Sequence, residues 1–154
     1  MNRVGMPVIR YAGEGDEVRC AELLGILFGE EREFTADSDT QRKALSMIIG
    51  DPGVGRIFVA EVNGVVEGMV MLLFTVSTFL GKKVALLEDM VVAPEWRGKG
   101  LGSLLIDYAM EFATLEGLGR ITLLTDGDNE AAKRFYRAKG FNRSEMVVYR
   151  KMLG

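Results

Sequence analysis

The residues best suited to chemistry stand in the run Trp96-Arg97-Gly98-Lys99-Gly100-Leu101-Gly102-Ser103. Three alternating glycines occupy the point where a strand and a proline turn run directly into a helix. Without Cβ atoms the chain can bring successive N–H groups against an anion, and the helix N-terminus adds its positive dipole end. Arg97 and Lys99 add full positive charges. A phosphate or pyrophosphate suits such a nest. The dinucleotide fingerprint G-x-G-x-x-G fits poorly, because Gly102 is followed by Ser103 and the loop does not open a first βαβ unit. A triphosphate P-loop needs Gly-Lys followed by Ser or Thr, and here Lys99 is followed by Gly100. The same glycines would also make a tight strand-to-helix corner with no ligand; the two cations and the helix start favour binding.

Composition makes a second cut. There is no histidine. That removes Ser-His-Asp and Cys-His catalysis, His-ligated zinc and any His proton shuttle. Proton transfer must use carboxylates, Tyr, Lys, backbone or water. The single cysteine, Cys20, forms no intramolecular disulfide and reads as a small packing residue. A net charge of -3 argues against a broad nucleic-acid footprint. No stretch approaches the roughly 20 apolar residues of a membrane span, and the N-terminus lacks the apolar core of a signal peptide, so a cytoplasmic location is expected. No cluster implies a metal.

The elements that must position the loop follow from periodicity and turn chemistry. Pro7–Tyr11 reads as a short strand. Asp16 can cap a helix carrying Val18, Cys20, Ala21, Leu23, Leu24 and Leu27. Ser38 or Asp39 can cap a second, with Ala44, Leu45, Ile48 and Ile49 at helical spacing, stopped at Gly50-Asp51-Pro52-Gly53. A meander follows: Arg56–Val62, a hairpin at Asn63-Gly64, Val65–Val76, a turn near Gly81, and Val84–Val92. Gly100–Gly117 predicts an amphipathic helix whose stripe Leu101, Leu104, Leu105, Tyr108, Ala109, Phe112 and Leu115 forms core. Arg120–Thr125 is a short buried-type strand, Asn129–Ala138 a helix closed by Gly140, and Glu145–Met152 a last strand. The chain reads as one mixed α/β domain over residues 1–154.

Arg97, Gly100 and Gly102, as R-x-x-G-x-G, resemble the pyrophosphate-binding signature of the GNAT N-acetyltransferase superfamily. Leu87-Glu88-Asp89-Met90-Val91-Val92 is similar to that family's fourth strand, and Asn129-Glu130-Ala131-Ala132-Lys133-Arg134-Phe135-Tyr136 to its late helix. The order of elements also matches over nearly the whole chain. The motifs look most like those of spermidine/spermine-type members. The resemblance implies an α+β fold with a central, mostly antiparallel twisted sheet of about seven strands, splayed between the fourth and fifth, and about four flanking helices.

It also implies roles. In such proteins the pantetheine arm of acetyl-coenzyme A lies in the splay and pairs with the fourth strand like a substitute strand. That assigns backbone contacts to Met90, Val91 and Val92, and pyrophosphate contacts to Arg97, Gly98, Lys99, Gly100, Leu101, Gly102 and Ser103. Asn129 and Ala132 would contact the cofactor from the late helix. Glu88 is implied as the base, directly or through water, and Tyr136 as the acid that protonates the leaving thiolate. Strand alternation sets Glu88 and Asp89 on opposite faces unless a bulge intervenes, which leaves Asp89 as the structural partner.

The acceptor is open between a small-molecule amine, a protein N-terminus or lysine, and no acceptor at all in a non-catalytic acyl-coenzyme A-binding module. The segment after the first helix, which borders the acceptor site in this family, holds Glu30, Glu31, Glu33, Asp37 and Asp39, an attraction for a cationic amine. A homodimer is expected from the resemblance.

Overall fold

The computed structural model describes residues 5–30 and 37–154, excepting the side chain of Glu30. They fall into two compact units, one ending at Leu124 and one comprising Thr125–Gly154. The first unit holds a five-stranded sheet in the order β1-β2-β3-β4-β5. Its strands are β1 (Val8–Tyr11), β2 (Gly55–Val62), β3 (Val65–Ser77), β4 (Lys82–Val92) and β5 (Ile121–Leu123). The first three pairings are antiparallel and the last is parallel. Helices α1 (Asp16–Glu30) and α2 (Ser38–Ile49) follow β1, and α3 (Leu101–Leu115) makes the crossover that a parallel β4–β5 pair requires.

The meander forms where turn chemistry dictates. Asn63 and Gly64 both have positive φ, 51° and 81°, as a two-residue hairpin turn of the I′ kind requires. Val62 then faces Val65 at the start of the ladder. Alternation divides the core into two layers. Ile57, Val59, Met69, Met71, Val91 and Ala93 pack with Cys20, Leu23 and Leu24 of α1 and Leu45 of α2. On the other face Phe58 meets the rings of Tyr108 and Phe112 of α3, at 5.3 and 5.1 Å. Gly68 of β3 lets α3 approach closely, since a Cβ there would stand 3.0 Å from Leu105 Cδ1. That approach fixes the first turn of α3 beside the end of β4.

Several expectations are corrected. Asp37, not Ser38 or Asp39, caps α2, its Oδ1 accepting the Thr40 N–H at 3.2 Å. Asp16 lies within α1 and receives the Gly13 N–H while pairing with Arg10 at 2.7 Å. Leu104 and Leu115 are exposed, because the buried stripe of α3 is Leu101, Leu105, Ile106, Ala109, Phe112 and Ala113. The segment Arg120–Thr125 contributes only Ile121–Leu123, half-buried at the sheet edge.

The second unit contains α4 (Glu130–Ala138), and the expected last strand Glu145–Met152 is not formed. Met146, Val147, Val148, Tyr149 and Met152 are all exposed. Strand propensity is mostly a preference for packing on a pleated surface, and without that packing these residues form no ladder. The sheet therefore has five strands among the described residues rather than about seven.

Candidate active site

The site begins where β4 and β5 part. Their parallel register covers Ala85–Ile121, Leu86–Thr122 and Leu87–Leu123, and ends there. β4 continues through Glu88 to Val92 beyond the β5 register, and of these residues Met90, Val91 and Val92 pair with β3. The splay expected between the fourth and fifth strands is this departure.

A β-bulge sits at the same point. Leu72 faces Leu87 and Val70 faces Met90, so Met71 alone stands opposite both Glu88 and Asp89. The extra residue has two consequences. First, Glu88 and Asp89 line one cavity, instead of opposite faces of the sheet. Asp89, expected as a structural partner on the face opposite Glu88, lines the same cavity as Glu88. Second, the bulge resets which backbone groups point outward. The Ala93 N–H donates to the Glu67 carbonyl at 2.8 Å, which makes those two a hydrogen-bonded pair. Such pairs alternate along an antiparallel ladder with pairs whose N–H and C=O point away. Val91 therefore turns its backbone to β3 and buries its side chain, while Met90 and Val92 turn theirs to the side where β5 has ended.

Beyond β4 a 3-10 turn, Pro94–Trp96, leads into the glycine loop. Arg97 Nε donates to the Val92 carbonyl at 3.2 Å, tying the loop back to the strand end. Lys99 Nζ lies 5.0 Å above the Trp96 ring, a cation–π contact that holds the charge near the loop. Gly98 and Gly100 adopt φ of 75° and 86°, in the left-handed region that disfavours a side chain. Around each, a Cβ would meet open space. Gly100 is the N-cap of α3 and gives no side-chain cap, and the first turn presents the N–H groups of Leu101, Gly102 and Ser103. Donors, dipole and two cations converge at this corner. The donor set fits a pyrophosphate.

The cavity beside Glu88 and Asp89 measures about 260 Å³. Leu24 and Phe28 of α1, Ala44, Leu45 and Ile48 of α2, and Met71 and Leu73 of β3 form its apolar wall, with Thr40 and Gln41 supplying the uncharged polar groups. Sequence reasoning missed this wall. Its residues belong to three elements whose helical and strand periods announce only that they face a core.

In the second unit, Asn129 caps α4, its Oδ1 accepting the Ala132 N–H at 3.0 Å. The two residues expected to contact cofactor are thus bonded to each other. At the far end Gly140, with φ 94°, closes the helix. The Phe141 N–H bonds the Tyr136 carbonyl at 3.0 Å and the Gly140 N–H bonds that of Arg137 at 3.0 Å. This is the Schellman arrangement, and it seats the Phe141 ring 5.8 Å from that of Tyr136. The Phe135 ring stands 5.2 Å from that of Tyr136, edge to face. Burial pushes the Tyr136 phenol above its ordinary pKa, so it keeps its proton at neutral pH.

Cys20 is fully buried between the helices and the sheet, and burial pushes its thiol up to about 12. It is inert as a nucleophile. Of the acidic stretch after α1, Glu31 and Glu33 lie outside the described residues, as does the side chain of Glu30. Asp37 is used as a cap, and Asp39 pairs with Arg42.

The sequence profile of the acetyltransferase (GNAT) family matches residues 19–141. The chain belongs to this family. The thialysine N-epsilon-acetyltransferase of Bos taurus is 31% identical over 146 residues, 86% of this chain and 82% of that protein. An N-acetyltransferase of Methanocaldococcus jannaschii is 35% identical over 91 residues, and the match spans only 40% of that longer protein. Among solved structures, an aminoglycoside N-acetyltransferase crystallised with coenzyme A superposes with a TM-score of 0.80 at 19% identity, over 98% of this chain and 97% of that one. The fold is that of a GNAT acetyltransferase, and the family's donor, acetyl-coenzyme A, is the co-substrate. Among the described residues no helix is long and apolar enough to cross a membrane.

Proposed function

We propose that this GNAT protein transfers the acetyl group of acetyl-coenzyme A to a primary amine of a small molecule, by direct attack within a ternary complex. The observation that carries the reading is the half-strand Glu88–Val92, which leaves β5 at a bulge and ends on the glycine loop. Acetyl-coenzyme A supplies the acetyl group as an activated thioester. Met90 and Val92 turn backbone groups towards the path of an extended arm, with the Val92 carbonyl also accepting from Arg97 Nε, and the loop from Arg97 to Ser103 offers N–H donors and charge to its pyrophosphate. Val91 serves through its buried side chain, and Asn129 and Ala132 support the start of α4.

An alkylammonium with a pKa of about 10 has no lone pair, so a base must take its proton before attack. Glu88 fills that role, directly or through water. The amine nitrogen then bonds the acetyl carbon as the carbon–sulfur bond breaks, the sulfur leaves with the electron pair, and the nitrogen releases its second proton to water to give the amide. Tyr136, protonated at neutral pH, is assigned to protonate the sulfur, on its place in the family motif and the direction of its pKa. Direct attack is favoured because the chain has no histidine to activate a serine and its one cysteine is buried, so neither a Ser-His nor a Cys-His acyl-enzyme pair can form. The family profile runs through both compact units, which supports a single functional domain. Homodimer assembly belongs to the same proposal, and light scattering on the purified chain checks it.

Titration calorimetry with acetyl-coenzyme A, followed by assay of free thiol released in the presence of amines, tests the reading. One-to-one binding and amine-dependent thiol release are expected. A folded protein that binds no acetyl-coenzyme A overturns it.

A further inference from the structure

Resting on the acetyl-transfer reading, we infer that the acceptor is a compact primary monoamine whose single ammonium is carried on an apolar aliphatic or aromatic body. Polyamines, amino sugars and peptide lysines are then poor substrates.

Three observations carry this. The first is size: at about 260 Å³ the cavity falls below the roughly 300–1,000 Å³ of ordinary small-molecule pockets, which favours a compact body. The second is the chemistry of the wall, where seven of the eleven lining residues among those described are apolar and come from α1, α2 and β3. A second or third ammonium set against these apolar side chains loses its hydration and finds no charged partner among the described residues of α1, α2 and β3 that line the cavity, a penalty that outweighs the gain from one more methylene. The third is the bulge. By placing Glu88 and Asp89 together on the β4 side of the cavity, it concentrates the negative charge at one place. One cationic head has a carboxylate to meet there while the body meets Leu, Ile, Met and Phe. Charge and apolar surface are complementary to an amphipathic amine.

The acidic stretch after α1 points the other way, towards a multiply charged acceptor. Its described members, Asp37 and Asp39, are occupied in capping α2 and pairing with Arg42. The lining residues contributed by α2 next to them are Thr40, Gln41, Ala44, Leu45 and Ile48, none of them charged.

The test compares kcat/KM for thiol release with 2-phenylethylamine and n-hexylamine against spermidine, thialysine and a lysine peptide. The apolar monoamines are expected to lead by about 100-fold. Two variants read the wall directly. Ala44 lines the cavity yet is exposed, so larger side chains are accommodated without disturbing the core. Ala44→Phe should raise the KM for 2-phenylethylamine about tenfold and leave acetyl-coenzyme A binding unchanged by calorimetry. Ala44→Asp should shift the 2-phenylethylamine to spermidine ratio towards spermidine by a similar factor. Acetyl-coenzyme A binding together with equal or better turnover of spermidine, thialysine or peptide overturns this inference and leaves the transfer reading standing. Absence of acetyl-coenzyme A binding overturns the transfer reading itself.

Discussion

In the proposed reaction the two ends of the half-strand Glu88–Val92 would recognise their ligands by different means. At the loop end, from Arg97 to Ser103, the recognising groups are backbone N–H donors, made available by positive φ at Gly98 and Gly100 and by the glycine N-cap of α3. At the bulge end the recognising groups are side chains, collected from α1, α2, β3 and β4 around one cavity. A backbone site binds what many related proteins share, because any sequence that keeps the glycines keeps the donors. A side-chain site can differ with every substitution in its wall. The comparison teaches that the donor should be insensitive to changes at the cavity, and the acceptor insensitive to changes in the loop.

The largest effect is expected at the loop. An Arg97→Ala/Gly100→Asp double variant should weaken acetyl-coenzyme A binding by more than about 100-fold, through lost charge and a carboxylate placed in the cradle. Calorimetry reads the loss, and an unchanged affinity would remove the loop from the site. Next comes Tyr136→Phe, which keeps the ring contacts with Phe135 and Phe141 and deletes only the hydroxyl. The turnover number should fall about 100-fold with the KM for acetyl-coenzyme A unchanged. Full activity would transfer the acid role to another group or to water.

A smaller effect separates the two bulge carboxylates. Glu88→Gln should lower kcat, whereas Asp89→Asn should raise the KM for the amine, each by about tenfold. If Asp89→Asn changes neither constant, the two carboxylates do not share the acceptor's cavity. The smallest effect lies away from both ends and calibrates them. Arg10 beside Asp16, with the Gly13 N–H, holds the Asp16 carboxyl below its usual range. A folded pKa lower than the unfolded one gives stability that is complete above about pH 4 and is lost as pH falls through the folded value. Asp16→Asn should therefore narrow the stability gap to wild type as pH drops below about 4, read by thermal melts, with acetyl-coenzyme A affinity unaltered.

The legibility of the molecule in its sequence follows the same division. The meander, α3 and the glycine loop were readable, because Asn63-Gly64, Pro94 and the Gly98–Gly102 run act through local backbone geometry. The order of elements up to α4 was readable for the same reason. The last strand was misread at Glu145–Met152, whose β-branched and aromatic residues announce a preference that only a neighbouring strand could satisfy. Leu104 and Leu115 were misread because a helical stripe fixes a face only to within one position either side.

By itself the sequence determined the absence of imidazole chemistry, the glycine-rich corner with its two cations, and the family to which the corner belongs. These depend on residue types and on contacts a few positions apart. The tertiary structure alone decided that Glu88 and Asp89 share a cavity, that Met90 and Val92 rather than Val91 face outward, and that the cavity wall is apolar. Each of these depends on register between strands, and one inserted residue at Glu88–Asp89 reverses the parity of everything after it. No local pattern marks that insertion, because its cause is the pairing of β4 with a strand about 20 residues away in the chain.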